Sequence, residues 1–347
     1  MIEGKVLVTG GNGQLAFCIK DVVNSIMHNN SDKYIFTTRK EFDITNYEMM
    51  EEYIKSNQDI KVIINCAAYT DVKGAETDEG FQRAMAVNCE GVKNLAHLCN
   101  EYNIFLVHIG TDYMYGLNVV DYSYPITEEK VQWLFSDDWF MKYYGDKTYY
   151  NSYGYSKSMG IHELFKEFKY EKNDKKPKFV VIVVSWLYSY NGKNFVKSIR
   201  EKLKTDEDIN VIYTQVGSPT YALDLANYIV DVIENDNCVF IDNPYDYNIA
   251  TTMSSNYWHI INFANLGVAS WYDIAKKVED FYCLHNNKIQ PITSFFDGVM
   301  RLRYSVLDTS KLLKRKNNKE YVRHWLDALD SCLHMIRRKE LDENEKE

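Results

Sequence analysis

Tyr153 and Lys157 stand four residues apart in Asn151-Ser-Tyr-Gly-Tyr-Ser-Lys157. On a helix that spacing puts a phenol and an ammonium on one face. The ammonium favours the phenolate, so the spacing predicts a tyrosine whose pKa falls toward working pH. Such a group can pass a proton to a substrate oxygen. Tyr155, two residues from Lys157, points elsewhere. The competing reading is that Tyr153 is one of 28 tyrosines in a tyrosine-rich chain. The pattern is short, and the elements around it decide between the two.

Those elements begin at the first residues. Lys5-Val-Leu-Val-Thr9 reads as a buried parallel strand, and it runs directly into Gly10-Gly-Asn-Gly13-Gln14-Leu15-Ala16. A helical pattern follows through Leu15, Ile19, Val22 and Val23. Strand, glycine turn and helix is the context of a dinucleotide site, where backbone N–H groups approach a pyrophosphate at the positive helix end. Gly10, Gly13, Gln14 and Leu15 are therefore cofactor candidates. Ala16 replaces the third glycine and still permits close helix–strand packing. Tyr34–Thr38 is a second strand, ending at Arg39-Lys40. An acid there would bind a ribose 2′-hydroxyl, whereas a base suits a 2′-phosphate, so Arg39 favours NADPH, with NADH as the other option. Asp43 and Ile44 follow and join the cofactor candidates, with Asp43-Ile-Thr45 read as the cap of the next helix. After the strand Lys61–Asn65, the small residues Cys66, Ala67 and Ala68, then Tyr69, let a cofactor lie against the backbone.

A long helix is expected from about Glu79 to Leu98. The strand Phe105–Ile109 ends at Gly110-Thr111-Asp112-Tyr113, a polar cluster where open α/β sheets bind ligands. Residues 117–150 form a long aromatic and acidic connection, either a lid or a surface insertion. Further strands are expected at Phe179–Val184, which runs into Ser185-Trp186, and at Trp258–Ile261. Ser270 is expected to cap a helix. A terminal helix follows from Trp325, and residues 337–347 read as a disordered charge run.

Composition narrows the classes. A net charge of −9 argues against a nucleic-acid surface. No apolar run reaches the ~20 residues that span a bilayer. No charged-then-apolar leader opens the sequence, so no signal peptide is expected. None of the seven cysteines forms a Cys-x-x-Cys pair, and Cys66, Cys89 and Cys99 read as buried thiols, which suggests a reducing, cytoplasmic compartment. His162-Glu163 lacks the second histidine of a metalloprotease helix, because Lys166 stands there, and no metal site is expected.

Taken in order, Val8-Thr-Gly-Gly-Asn-Gly-Gln-Leu15, Asn65-Cys-Ala-Ala-Tyr-Thr70, Ala75-Glu76, Val87-Asn88, Thr111-Asp-Tyr113, Tyr153-Gly-Tyr-Ser-Lys157 and Ser185-Trp186 carry a resemblance. Gly217-Ser-Pro-Thr220, Asp224-Leu-Ala226, Ser270-Trp-Tyr272 and Leu307-Asp-Thr-Ser-Lys-Leu312 extend it over nearly the whole chain. The sequence resembles the extended short-chain dehydrogenase/reductase family and, within it, the dTDP-4-dehydrorhamnose reductases as a group. That resemblance implies a doubly wound parallel α/β sheet (Rossmann type) with a smaller carboxyl-terminal substrate domain. Residues 1–185 and about 220–262 would form the cofactor domain. Residues about 186–219 and 263–336 would form the substrate domain.

The resemblance also implies roles. Tyr153 protonates the substrate oxygen, Lys157 holds the nicotinamide ribose, and Thr111 hydrogen-bonds the reacting carbonyl of a nucleotide-linked 4-keto-6-deoxy sugar. Asp112, Tyr113 and Trp186 fall at substrate-pocket positions. A homodimer is compatible with the resemblance. Some relatives use Mg2+ at a dimer contact, but those carboxylates do not map onto this sequence. Gly110 replaces the usual Ser, Val183-Val184 replace an Arg-Thr pair, Gly160-Ile-His-Glu163 shifts the usual Gly-Glu, and the 117–150 connection is longer than usual. An epimerase or dehydratase acting on another nucleotide sugar remains an alternative, as Asp112 beside Thr111 suggests. So does a non-catalytic regulatory subunit resembling the methionine adenosyltransferase β subunit.

Overall fold

The computed structural model describes residues 3–26, 31–116, 124–128, 130, 151–168, 179–205, 207–235, 260–284, 288–294, 297–314 and 321–344. Most of the 117–150 connection, and Trp258 and His259 of the last expected strand, lie outside the described residues.

Six strands form one parallel sheet. They are Lys5–Thr9 (β1), Tyr34–Phe36 (β2), Ile60–Asn65 (β3), Phe105–Thr111 (β4), Phe179–Val184 (β5) and Ile260–Asn262 (β6), in the order β6-β5-β4-β3-β1-β2. β5 reads Phe-Val-Val-Ile-Val-Val and every residue is buried, as expected of a strand covered on both faces. Alternate residues go to opposite layers. Val6, Val8, Val107 and Ile182 pack with Leu15, Ile19 and Val22 of the helix Gln14–Ile26 (α1). Leu7, Ile63, Leu106 and Val181 pack on the other face with Leu95 and Ile161. The chain leaves β1 for β2 on one side and returns to β3 on the other. That reversal opens a crevice at the carboxyl ends of β1 and β3.

Tyr47–Ser56 (α2) is capped by Asn46, whose side chain accepts from the Met49 N–H. The cap is not Asp43, whose Oδ1 instead accepts from Thr45 N at 3.0 Å and turns the loop. The long helix expected over 79–98 is interrupted. Asp78–Met85 (α3) and Gly91–Glu101 (α4) are joined by a π-helical turn at Ala86–Glu90, which contains Asn88. Ser152–Phe168 (α5) packs against α4 and β4.

The carboxyl-terminal part comprises Phe195–Lys202 (α6), Ala222–Asn235 (α7), Trp271–Phe281 (α8) and Trp325–Asn344 (α9), with short strands. α7 packs on α1, and α8 opens with a capping box between Ser270 and Asp273. Residues 337–344 correct the expectation of disorder, because they continue α9. Glu340 pairs with Arg200 at 3.4 Å. The Lys339 ammonium lies 4.5 Å from the Phe17 ring centre and 4.6 Å from that of Tyr190, contacts a charge run in water would not make.

Candidate active site

The carboxyl ends of β1, β3, β4 and β5 open on a cleft of about 940 Å³. Its floor at one end is the glycine turn. Gly10 has φ +63, and a Cβ there would lie 2.8 Å from the Ala67 nitrogen, so only glycine is free of strain. Gly13 N–H donates to the Gly10 carbonyl at 2.8 Å, and α1 begins at the next residue. The start of α1 thus borders the cleft at Gly13, which has no side chain, a cradle that fits a dinucleotide pyrophosphate. Gly13, Gln14, Leu15, Ala67 and Ala68 line the cleft. Other cofactor candidates are placed differently. Tyr69 is tied by its backbone to the buried Asn88 side chain. Arg39 is 79% exposed in its side chain and pairs with Asp43 at 2.8 Å, outside the cleft. Ile44 is a buried core residue packed against Gly91.

At the middle of the cleft, α5 delivers Tyr153 and Lys157 and the end of β4 delivers Thr111. The start of α5 is fixed twice. Asn151 Oδ1 accepts from Gly154 N at 2.7 Å, and Glu76 accepts from Ser152 N at 2.8 Å. Asn88 Nδ2 donates to Ser156 Oγ at 3.0 Å, holding the helix from behind. Gly160 permits that contact, since a Cβ there would collide with the Asn88 carbonyl.

The electrostatics differ from the expectation drawn from spacing alone. Tyr153 is not shifted down. Burial pushes its phenol up to about 12, against a smaller downward pull from its hydrogen bond with Thr111. The Lys157 Nζ donates to the Ile109 carbonyl at 2.8 Å. Burial lowers its ammonium to about 8. Both follow from one cause, because charge is unfavourable in this closed site.

Asp112 is buried, and burial raises its carboxyl to about 6. Its Oδ1 accepts from Thr111 Oγ1 at 2.9 Å and from Tyr113 N at 3.1 Å, and its Oδ2 accepts from Ser305. Because the folded pKa lies above the unfolded 3.8, this group's stabilisation is fully present below 3.8 and is lost as pH rises through about 6. We expect Asp112→Asn to remove that pH dependence. Urea titrations from pH 7 to pH 4 should show the parent gaining about 2 kcal/mol of stability relative to the variant.

Beyond Thr111 the cleft is walled by Trp186, which stacks on Trp271 with ring centres 3.8 Å apart and planes at 13°. Trp186 has φ +47, an uncommon conformation for a bulky residue, and its indole fills the space that a side chain at Gly217 would need. Tyr113 packs edge-on against Tyr153, with centres 5.5 Å apart. Two departures from the resembled family prove to be neighbours. A Cβ at Gly110 would stand 3.0 Å from Val181 and 3.5 Å from Val183. Val181 is the close neighbour, and Val183, the other departure, stands at ordinary contact distance.

Sequence reasoning missed several wall residues, among them Lys73, Lys193, Gln215, Trp271 and Arg301. Arg301 is held by two hydrogen bonds to Asp297, at 2.6 and 2.8 Å. Only the charge of the Arg-Leu-Arg stretch just ahead of the Leu307 motif could have signalled it. Among the described residues, no three metal-ligating side chains gather, and no helix is long and apolar enough to cross a membrane.

Comparison with known proteins agrees with this architecture. The family model described as the RmlD substrate binding domain matches residues 4–338. A dTDP-4-dehydrorhamnose reductase of Mycolicibacterium smegmatis is 28% identical over 95% of this chain and 85% of its own length. A dTDP-4-keto-6-deoxy-D-glucose reductase of Streptomyces niveus is 25% identical over 95% and 96%. A dTDP-4-dehydrorhamnose reductase from Clostridium acetobutylicum superposes with a TM-score of 0.73 at 26% identity, covering 96% of this chain and 99% of that one. One from Bacillus anthracis, in complex with NADP, does so with a TM-score of 0.71 at 25% identity over the same shares. The matched model spans nearly the whole length, and the chain belongs to the RmlD substrate binding domain family.

Proposed function

We propose that this chain reduces the C4 keto group of a dTDP-linked 4-keto-6-deoxy sugar, with dTDP-4-dehydrorhamnose as substrate and NADPH as reductant. The observation that carries this reading is the convergence of Thr111, Tyr153 and Lys157 on one wall of a cleft whose other end is a pyrophosphate cradle. Bound NADPH supplies the hydride to C4. Negative charge then develops on the C4 oxygen; Tyr153 is the hydroxyl placed to donate to it, and Thr111 joins once its one proton turns from Asp112 Oδ1. A reductase needs the phenol protonated before reaction, and burial keeps it so. Lys157, released from the Ile109 carbonyl, is placed to hold the nicotinamide ribose and to stabilise the phenolate left after proton transfer. Stacked Trp186 and Trp271 present an aromatic wall for the sugar nucleotide, and Lys193 and Arg301 are cations suited to its diphosphate. Free cysteines such as the buried Cys18, Cys89, Cys99 and Cys332 fit a cytoplasmic enzyme.

The test is NADPH oxidation followed by absorbance, with dTDP-4-dehydrorhamnose as substrate and NADH in parallel. Turnover with this substrate supports the reading, and its absence with cofactor still bound contradicts it. Arg39, beyond the cleft lining, reaches a 2′-phosphate by giving up Asp43, which supplies a linked expectation. Arg39→Ala should raise the KM for NADPH about tenfold, the order expected for a charge-assisted phosphate contact, while leaving that for NADH unchanged. Equal effects on both cofactors would remove Arg39 from 2′-phosphate recognition.

A further inference from the structure

Gln14 is the first residue of α1, directly after the glycine turn, yet its side chain reaches across the cleft. Its Oε1 accepts from Asn194 Nδ2 at 2.9 Å and from Ser189 Oγ at 3.1 Å. Both belong to the loop that carries Lys193 and leads into α6. Asn194 caps that helix, its Oδ1 accepting from Lys197 N at 3.2 Å. The same Nδ2 donates to the Ser189 carbonyl at 2.7 Å. Gly192, with φ +69, folds the loop tightly over Gln14, since a Cβ there would stand 3.0 Å from Gln14 Cγ.

One donor of the loop therefore has a choice of acceptor. Ser189 Oγ has one proton and two acceptors in reach, Gln14 Oε1 and the Asn191 carbonyl at 2.5 Å. Which acceptor takes it depends on where Gln14 stands, and Gln14 stands on the turn that a pyrophosphate would engage. We infer that Gln14 is a positioning residue that couples the two ligand sites: occupation of the glycine turn fixes Gln14, which sets the Ser189–Asn194 loop and Lys193 for a nucleoside diphosphate. This rests on the reading of the cleft as a site for NADPH and a dTDP-sugar. Coupling of this kind is reciprocal, so each ligand tightens the other by the same factor.

The experiment is calorimetric titration of NADPH into the full chain, with and without saturating dTDP, and the converse titration. In the parent protein, dTDP should tighten NADPH about tenfold, and NADPH should tighten dTDP equally. In Gln14→Met, which keeps the size and loses the acceptor, that ratio should fall below about twofold while each ligand still binds alone. Gln14→Glu keeps an acceptor oxygen and should retain the coupling ratio even though its charge weakens NADPH itself. Ser189→Ala approaches the same bond from the other loop and should lower the ratio if Gln14→Met does not fold. A ratio near one in the parent, or a full ratio in both Gln14→Met and Ser189→Ala, overturns the inference with the two-ligand reading intact. Failure of either ligand to bind the parent alone overturns that reading and the inference with it.

Discussion

Tyr153→Phe should lower kcat by about 10³-fold while changing NADPH affinity by less than a few-fold, since general acid catalysis by a positioned group is worth about 10²–10⁴. The substitution removes one hydroxyl from a buried ring and leaves its packing on Tyr113 in place. Loss of the proton donor leaves the developing charge without its acid, and Thr111 can answer it only by giving up its bond to Asp112. Steady-state kinetics with a separate binding titration distinguish this from a folding defect. A variant retaining more than a tenth of parental turnover would mean that another group donates the proton. The raised phenol also sets the pH profile. With Tyr153 held at about 12, its protonated form persists across the physiological range. The alkaline limb should instead begin near pH 8, where the Lys157 ammonium titrates.

Lys157→Met should separate activity from stability. Turnover should fall at least 10²-fold, because the phenolate left by proton transfer loses its neighbouring positive charge. Stability should move the other way. In the unfolded chain Lys157 keeps its proton to about 10.5, and in the fold only to about 8. Below about 8 both states carry the proton and the fold bears the whole penalty of burying the charge. Between those values folding releases a proton, so this group's contribution improves as pH rises through the window. Methionine fills the same space without charge, so the variant should be more stable at pH 7 by about 2–3 kcal/mol. The rise in stability from pH 8 to 10 should be smaller in the variant than in the parent. Denaturant melts at pH 7 and pH 9.5 measure both. A variant destabilised at pH 7 would mean that the bond from Lys157 to the Ile109 carbonyl outweighs the cost of burial. A functional residue that costs stability is the usual exchange at a preorganised site.

What could be read ahead of the structure was local. β1, the glycine turn and α1 are contiguous in sequence, so their pattern alone placed Gly13, Gln14 and Leu15 where the cleft has them. The four-residue spacing of Tyr153 and Lys157 was likewise a property of one helix. What failed depended on distant neighbours. The protonation of Tyr153 follows from burial, and the direction of Lys157 from a carbonyl 48 residues away. Trp271 and Arg301 reach the cleft from segments more than 100 residues beyond Tyr153, with no local signal of the wall they form. The π turn at Ala86–Glu90 was invisible for a similar reason. The apolar period runs through it, and its purpose is the set of bonds from Asn88 to Tyr69 and Ser156. Disorder was overread at 337–344 because charge run and amphipathic helix look alike until Arg200 and the Phe17–Tyr190 pair are seen opposite.

The most direct test follows the hydride itself. The protein would be incubated with dTDP-4-dehydrorhamnose and NADPH deuterated at C4 of the nicotinamide, and the sugar product examined by NMR and mass spectrometry. The account predicts one deuterium at C4 of a dTDP-linked 6-deoxyhexose, formed about 10³-fold more slowly by Tyr153→Phe than by the parent. Recovery of unreduced keto sugar after prolonged incubation with bound cofactor, or deuterium at any other carbon, would contradict it.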